Sequence, residues 1–133
     1  MFFDKLMNQS GAPVLEQMLQ FTAERHKLIL ENIASVDLPE HRQRDLSVQK
    51  FQGMLRDRIE QRDGAPAGSV GFDDIRAEIE QPRAGMLAHD GNNRSMEQLA
   101  SDQAKNAMLH NMIIELLRKQ FAQLDMALKD KVS

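Results

Sequence analysis

SMEQLASDQAKNAMLHNMIIELLRKQFAQLDMALKDKV, residues 95–132, decides the fold. No Gly or Pro interrupts it, and Ser95 followed by Gln98 has the capping-box spacing, in which each side chain accepts a hydrogen bond from the other residue's free backbone N–H. Met96, Ala100, Gln103, Ala107, His110, Ile114, Leu117, Phe121, Leu124 and Leu128 alternate steps of four and three, the spacing that keeps one stripe turned toward a partner helix. A helix over 95–133 is therefore predicted, a rod of roughly 57 Å at about 1.5 Å per residue. A compact ball of 133 residues has a radius of gyration of only about 14 Å. The rod overhangs any such globule, so its stripe has to be covered along another long helix or by other chains. Small and polar residues fill its first half and large apolar ones its second, which places the expected packing energy toward the C-terminus.

Working outward, the matching stripe lies near the other end. Leu15, Leu19, Thr22, His26, Ile29, Ile33 and Val36 follow the same alternation, and no Gly or Pro interrupts 14–37. Pro13 suits a first helical turn, where its missing N–H costs nothing, and Pro39 disfavours helical geometry at Leu38. The two stripes predict an all-α chain whose long N- and C-terminal helices, 14–37 and 95–133, pack as a coiled-coil-like hairpin. The middle, 38–94, reads as short and irregular. Leu46, Phe51, Met54, Leu55 and Ile59 suggest a short helix, Asp63 to Gly71 is a linker by composition, Ile75, Ala77 and Ile79 alternate like a brief strand, and Gln81 to Asn93 is irregular. Residues 1–13 form a flexible leader.

Composition narrows the function. Lys and Arg number 17 against 20 Asp and Glu, a net charge of -3, which gives no basic footprint for nucleic acid. With no Trp and no Tyr, the rings that usually build a small-molecule pocket are scarce. No Cys is present, so disulfides, thiolate metal sites and thiol catalysis are excluded. No apolar run is long enough for a membrane span, and the first 14 residues lack the pattern of a cleaved secretory signal. His26 and His110 fall on the stripes and are expected to be partly buried and hydrogen-bonded, while no pair among His26, His41, His89 and His110 has metal-ligand spacing. Asp90-Gly91-Asn92-Asn93 reads as a turn before the helix, since the alternating acids of a calcium loop are missing. The arginines from Arg42 to Arg62 alternate with Asp45, Asp57 and Glu60 as a solvated face. No nucleophile elbow, phosphate loop or paired bundle ligands occur. An enzyme and a cofactor are not expected.

Helices at both ends, each with a heptad stripe and separated by a short middle, resemble the plan of the axial proteins of the bacterial flagellum, the rod, hook and hook-associated proteins. Glu31-Asn32-Ile33-Ala34-Ser35-Val36-Asp37-Leu38-Pro39 is similar to that family's Ala-Asn-Ile-Ala-Asn stretch and the Thr-Pro-Gly-Tyr that follows it, matching at Asn32, Ile33, Ala34 and Pro39 and departing at Ser35, Leu38 and Glu40-His41. Asp90-Gly91-Asn92-Asn93 leading to Leu116-Leu117-Arg118-Lys119-Gln120-Phe121 resembles the C-terminal half of the short rod proteins. The resemblance implies a structural subunit of the periplasmic rod, exported by the flagellar type III system without signal cleavage and polymerised through terminal helices that stay disordered in the monomer. It implies other copies, other rod proteins, the rod-to-ring adaptor and the export gate as partners. It also implies turn-forming roles for Asn32 and Pro39 and an export signal at Phe3 and Met7. Subunit packing falls to Leu15, Leu19, Ile29, Ile33, Ile114, Leu117, Phe121, Leu124 and Leu128. The alternative is a cytosolic helical adaptor or export chaperone, with the same hairpin but stable alone.

Overall fold

A computed structural model describes residues 11–66, 70–81, 86–89 and 93–132. In chain order these form α1 (Ala12–Ala34), β1 (Arg44–Leu46), α2 (Val48–Asp63), α3 (Asp73–Glu80), β2 (Leu87–His89) and α4 (Met96–Val132). The chain is mostly helical, and its long N- and C-terminal helices pack on each other. At about 1.5 Å per residue, the 23 residues of α1 and 37 of α4 make rods of about 35 and 55 Å.

Each long helix starts where its local chemistry dictates. Pro13 occupies the first turn of α1, where no N–H is needed. At the start of α4 the Ser95 N–H donates to Gln98 Oε1 at 2.9 Å and the Gln98 N–H donates to Ser95 Oγ at 3.2 Å, so two otherwise unpaired donors are satisfied. The end of α1 differs from expectation. It stops at Ala34 rather than continuing to Asp37, because the Ser35 N–H closes on Glu31 and Asn32 and Leu38 N–H turns back to Ser35 O at 3.0 Å. Pro39 is then the second residue of a turn closed by His41 N–H on Leu38 O at 3.2 Å, a position that its fixed φ favours.

The middle segment departs furthest from the sequence reading. Phe21, Leu46, Phe51, Leu55, Phe72, Ile75, Ile79 and Met86 form one buried cluster, so α1, β1, α2 and α3 share a core and 38–94 is not an irregular connector. Phe21 and Phe51 stack with centroids 4.0 Å apart. The expected strand at Ile75–Ile79 is instead helix α3. Phe72, Ile75 and Ile79 follow steps of three and four, which put all three on one helical face, and Asp73 and Asp74 sit in its first turn, where negative charge meets the positive end of the helix dipole. The expected helix over 46–59 begins at Val48, capped by Ser47 Oγ accepting from Lys50 N–H, and runs on to Asp63. Two three-residue strands were unforeseen. They pair antiparallel, with Arg44 opposite His89 and Leu46 opposite Leu87.

Ion pairs lie around this core. Arg25 holds Asp45 through two bonds of 3.0 and 3.1 Å, tying α1 to β1. Arg58 bonds both carboxylate oxygens of Asp74 at 2.7 and 2.5 Å and also donates to Gly71 O. The guanidinium of Arg58 thereby holds the Asp74 carboxyl below the usual carboxylate range, and Asp74 in turn raises Arg58.

Candidate assembly interface

The candidate site is the seam between α1 and α4 together with the faces of α4 that α1 leaves uncovered. The helices run antiparallel. Asn106 Nδ2 donates to Thr22 O at 2.8 Å, Ala12 packs with Ile113 and Leu117, and a Cβ on Gly11 would lie 3.6 Å from Gln120 Nε2. Below Leu117 the seam is apolar, with Leu15, Met18 and Leu19 of α1 against Ile113 and Leu117 of α4. Toward the start of α4 it turns polar. Thr22 Oγ1 donates to Leu19 O at 2.9 Å and lies 2.7 Å from His110 Nδ1. Asn106 is 2% exposed, yet its Oδ1 and both amide atoms of Gln103 are buried without a hydrogen-bond partner. Orphaned buried amides cost about 1–3 kcal/mol each, so the first half of α4 is held less firmly than its centre.

The predicted packing residues fall into three groups. Ile29, Leu117 and Leu124 are buried, while Leu15, Leu19, Ile33, Ile114 and Leu128 are half-buried. Phe121 is 45% exposed and does not join the seam. The reason is a choice of phase. Gln103, His110, Leu117 and Leu124 recur every seventh residue, and the intervening seam position can follow by three or by four. The chain takes the step of three, burying Asn106 and Ile113 and half-burying Gln120, and leaves Ala107, Ile114 and Phe121 on the flank. His26 is exposed, unlike His110. Phe3 and Met7 lie outside the described residues.

Asn32 is buried at the end of α1 and acts as a strand-like partner: its Nδ2 donates to Arg44 O at 2.8 Å and its Oδ1 accepts from Arg44 N–H at 3.2 Å. Pro39 is exposed. A second polar knot involves residues that sequence reasoning missed. Gln43, itself buried, bonds Arg94 twice, through Nε2 to Arg94 O at 2.9 Å and from Arg94 N–H to its Oε1 at 2.8 Å. Asn93 accepts from Gln43 N–H at 3.1 Å and donates to His41 O at 2.7 Å. These contacts fasten the start of α4 to the strand after α1, and nothing in residue spacing foretells them.

Two clefts flank the seam. One of about 290 Å³ is lined by Asn32, Gln43, Arg44, Arg94 and Asp102, whose polar groups already pair with one another, including Arg94 with Asp102 at 2.8 Å. The other, about 300 Å³, lies between His26 and His110 beside Asn106 and Asn111. Among the described residues no group of three His, Asp or Glu is gathered as a metal site would require, and no helix is long and apolar enough to cross a membrane.

The larger feature is what remains uncovered. Met108, Leu109, Met112, Leu116, Phe121 and Met126 are 71, 39, 57, 42, 45 and 65% exposed, all on one helix. Scattered exposed apolar residues are ordinary, but Leu109, Met112 and Leu116, spaced by three and four, share one exposed side of α4 as a helix-binding face would, while Phe121 stands on the opposite flank. Comparison with protein-family models, with curated proteins and with solved structures finds no match.

Proposed function

We propose that this chain is a structural subunit of the proximal rod of the bacterial flagellar basal body, similar to the rod protein FlgB, and that it works through helix packing rather than chemistry. The observation that carries this reading is the exposed apolar run on α4, from Met108 to Met126, on a helix longer than the α1 that accompanies it. A stripe of this kind loses its unfavourable hydration only against further helices, and bundled helices resist bending and twisting because close-packed side chains transmit strain. The residue resemblance at Asn32-Ile33-Ala34 and at Leu116 to Phe121 supplies the cellular setting: type III export, then polymerisation in the periplasm with other rod proteins, above the rod-to-ring adaptor and export gate.

A second reading has an observation of its own. The core around Phe21 and Phe51 is closed within one chain, as a free-standing cytosolic adaptor or export chaperone would need. The two readings part on one experiment. For a rod subunit, a strain lacking this chain is non-motile and the chain co-purifies with basal bodies. Normal motility on deletion, or the chain found only in the cytosol bound to another protein, removes the rod reading and favours the adaptor.

A further inference from the structure

α4 carries a second heptad stripe beside the one that packs on α1. Lys105, Leu109, Met112, Leu116, Lys119, Gln123 and Met126 follow steps of four, three, four, three, four and three, and every one is exposed. All but Met126 stand one residue before a position of the seam, so this stripe lies about 100° around the helix from the face that meets α1. Lys105 and Lys119 sit seven residues either side of Met112 and have no ion-pair partner among the described residues.

The exposed side of α1 has a matching spacing, on which Lys27 is already paired with Glu24 at 3.1 Å and Gln20 donates to Glu80 of α3 at 3.1 Å, leaving Glu16 as its unpaired charge among the described residues. Glu16, Gln20, Ala23, Lys27, Leu30 and Ala34 again alternate four and three. Glu16 is exposed and, among the described residues, unpaired. Leu30 is 47% exposed and is flanked by Glu31, whose only charged contact among the described residues is the exposed pair with Arg44 at 3.0 Å. Glu16 and Leu30 stand seven residues either side of Ala23.

We propose that the Lys105–Met112–Lys119 face of α4 receives the Glu16–Ala23–Leu30 face of α1 from a second copy of this chain; this rests on the reading of the chain as a polymer subunit and names the surfaces that join. With Met112 set against Ala23, a large side chain meets a small one. The two lysines then meet Glu16 at one end and the Leu30–Glu31 corner at the other, whichever way the helices run. The symmetric register that sets Met112 against Met112 is disfavoured by the same charges, since it places lysine against lysine in either direction. The contact is therefore heterologous: each copy offers an α4 face and an α1 face, and an unclosed repeat of it grows a filament.

Sedimentation velocity of the full chain over a concentration series tests this. Lys105→Glu with Lys119→Glu should raise the concentration for half-association on the order of tenfold while circular dichroism is unchanged, since exposed pairs contribute little to the fold. Glu16→Lys should then restore association to Lys119→Glu if the helices meet antiparallel, or to Lys105→Glu if parallel. Met112→Lys, also exposed, should abolish association without loss of helix. Association untouched by all these changes overturns the inference, as does weakening that Glu16→Lys rescues in neither background; if such variants still enter basal bodies, the rod reading survives it. A wild-type chain that neither associates nor enters basal bodies ends both.

Discussion

Around Phe21 and Phe51 the chain buries eight apolar side chains contributed by α1, β1, α2, α3 and the segment before β2. Along α1 and α4, the seam has a small apolar cluster of Ala12, Ile113 and Leu117 and then a polar stretch of Thr22, Asn106 and His110 with orphaned amide atoms. The first region is closed and shape-specific. The second is a long, shallow contact whose helices have more apolar face than they hide from each other. Core packing and exposed apolar surface are thus divided between different parts of one small chain: the compact end maintains the fold, and the long helix presents surface.

Graded substitutions sharpen that division. Phe51→Ala should be the most damaging, about 3–5 kcal/mol by urea denaturation, because it removes a stacked ring and leaves a cavity between elements that cannot close over it. Ile113→Ala in the seam should cost about 2–3 kcal/mol, at the low end for such truncations, because two helices can slide to refill the gap. If it matches or exceeds Phe51→Ala, the division is wrong. Asn106→Leu should change stability by about 1 kcal/mol or less, since it loses the bond to Thr22 O but also removes a buried acceptor that has no partner. The informative readout there is the His110 imidazole resonance, which should shift if the polar stretch holds register.

The smallest effect concerns pH. The folded Asp74 carboxyl titrates below the ordinary value of about 3.9 because Arg58 donates to it. Its stabilisation is therefore fully present above the unfolded value and fades as pH falls through the lowered one. Asp74 is 64% exposed at this pair, so solvent screening keeps the contribution within about 1 kcal/mol. Asp74→Asn should flatten the acid limb of the stability curve by that small amount and leave association at neutral pH alone. A large drop in stability at neutral pH would mean that the pair matters more than its exposure allows.

The long helices were legible in the sequence because they repeat one signal many times, and Ser95 with Gln98 marked the start of α4 to the residue. The phase of the seam was not. Ala107, Ile114 and Phe121 are more apolar as a set than Asn106, Ile113 and Gln120, so the row with the higher hydrophobicity was expected inside, yet α1 approaches from the other side. Burial depends on where the partner comes from, which periodicity within one helix does not contain. In the middle, Ile75, Ala77 and Ile79 fit a two-residue period as well as a helical one. Phe72 before them, with Asp73 and Asp74, was the signal that separates the two. β1 and β2 are too short to leave any period. The ties from Asn32 to Arg44 and from Gln43 to Arg94 depend on amide side chains meeting a distant backbone, information that exists only once the chain has turned.

The knot at His41, Gln43, Asn93 and Arg94 gives α4 a direction. One end of this helix is riveted by side-chain amides and a reciprocal cap, and the far end, past Gln120, lies beyond the first residue of α1. Brief amide exchange should register that asymmetry, slower in the turns beside the knot than in those past Gln120.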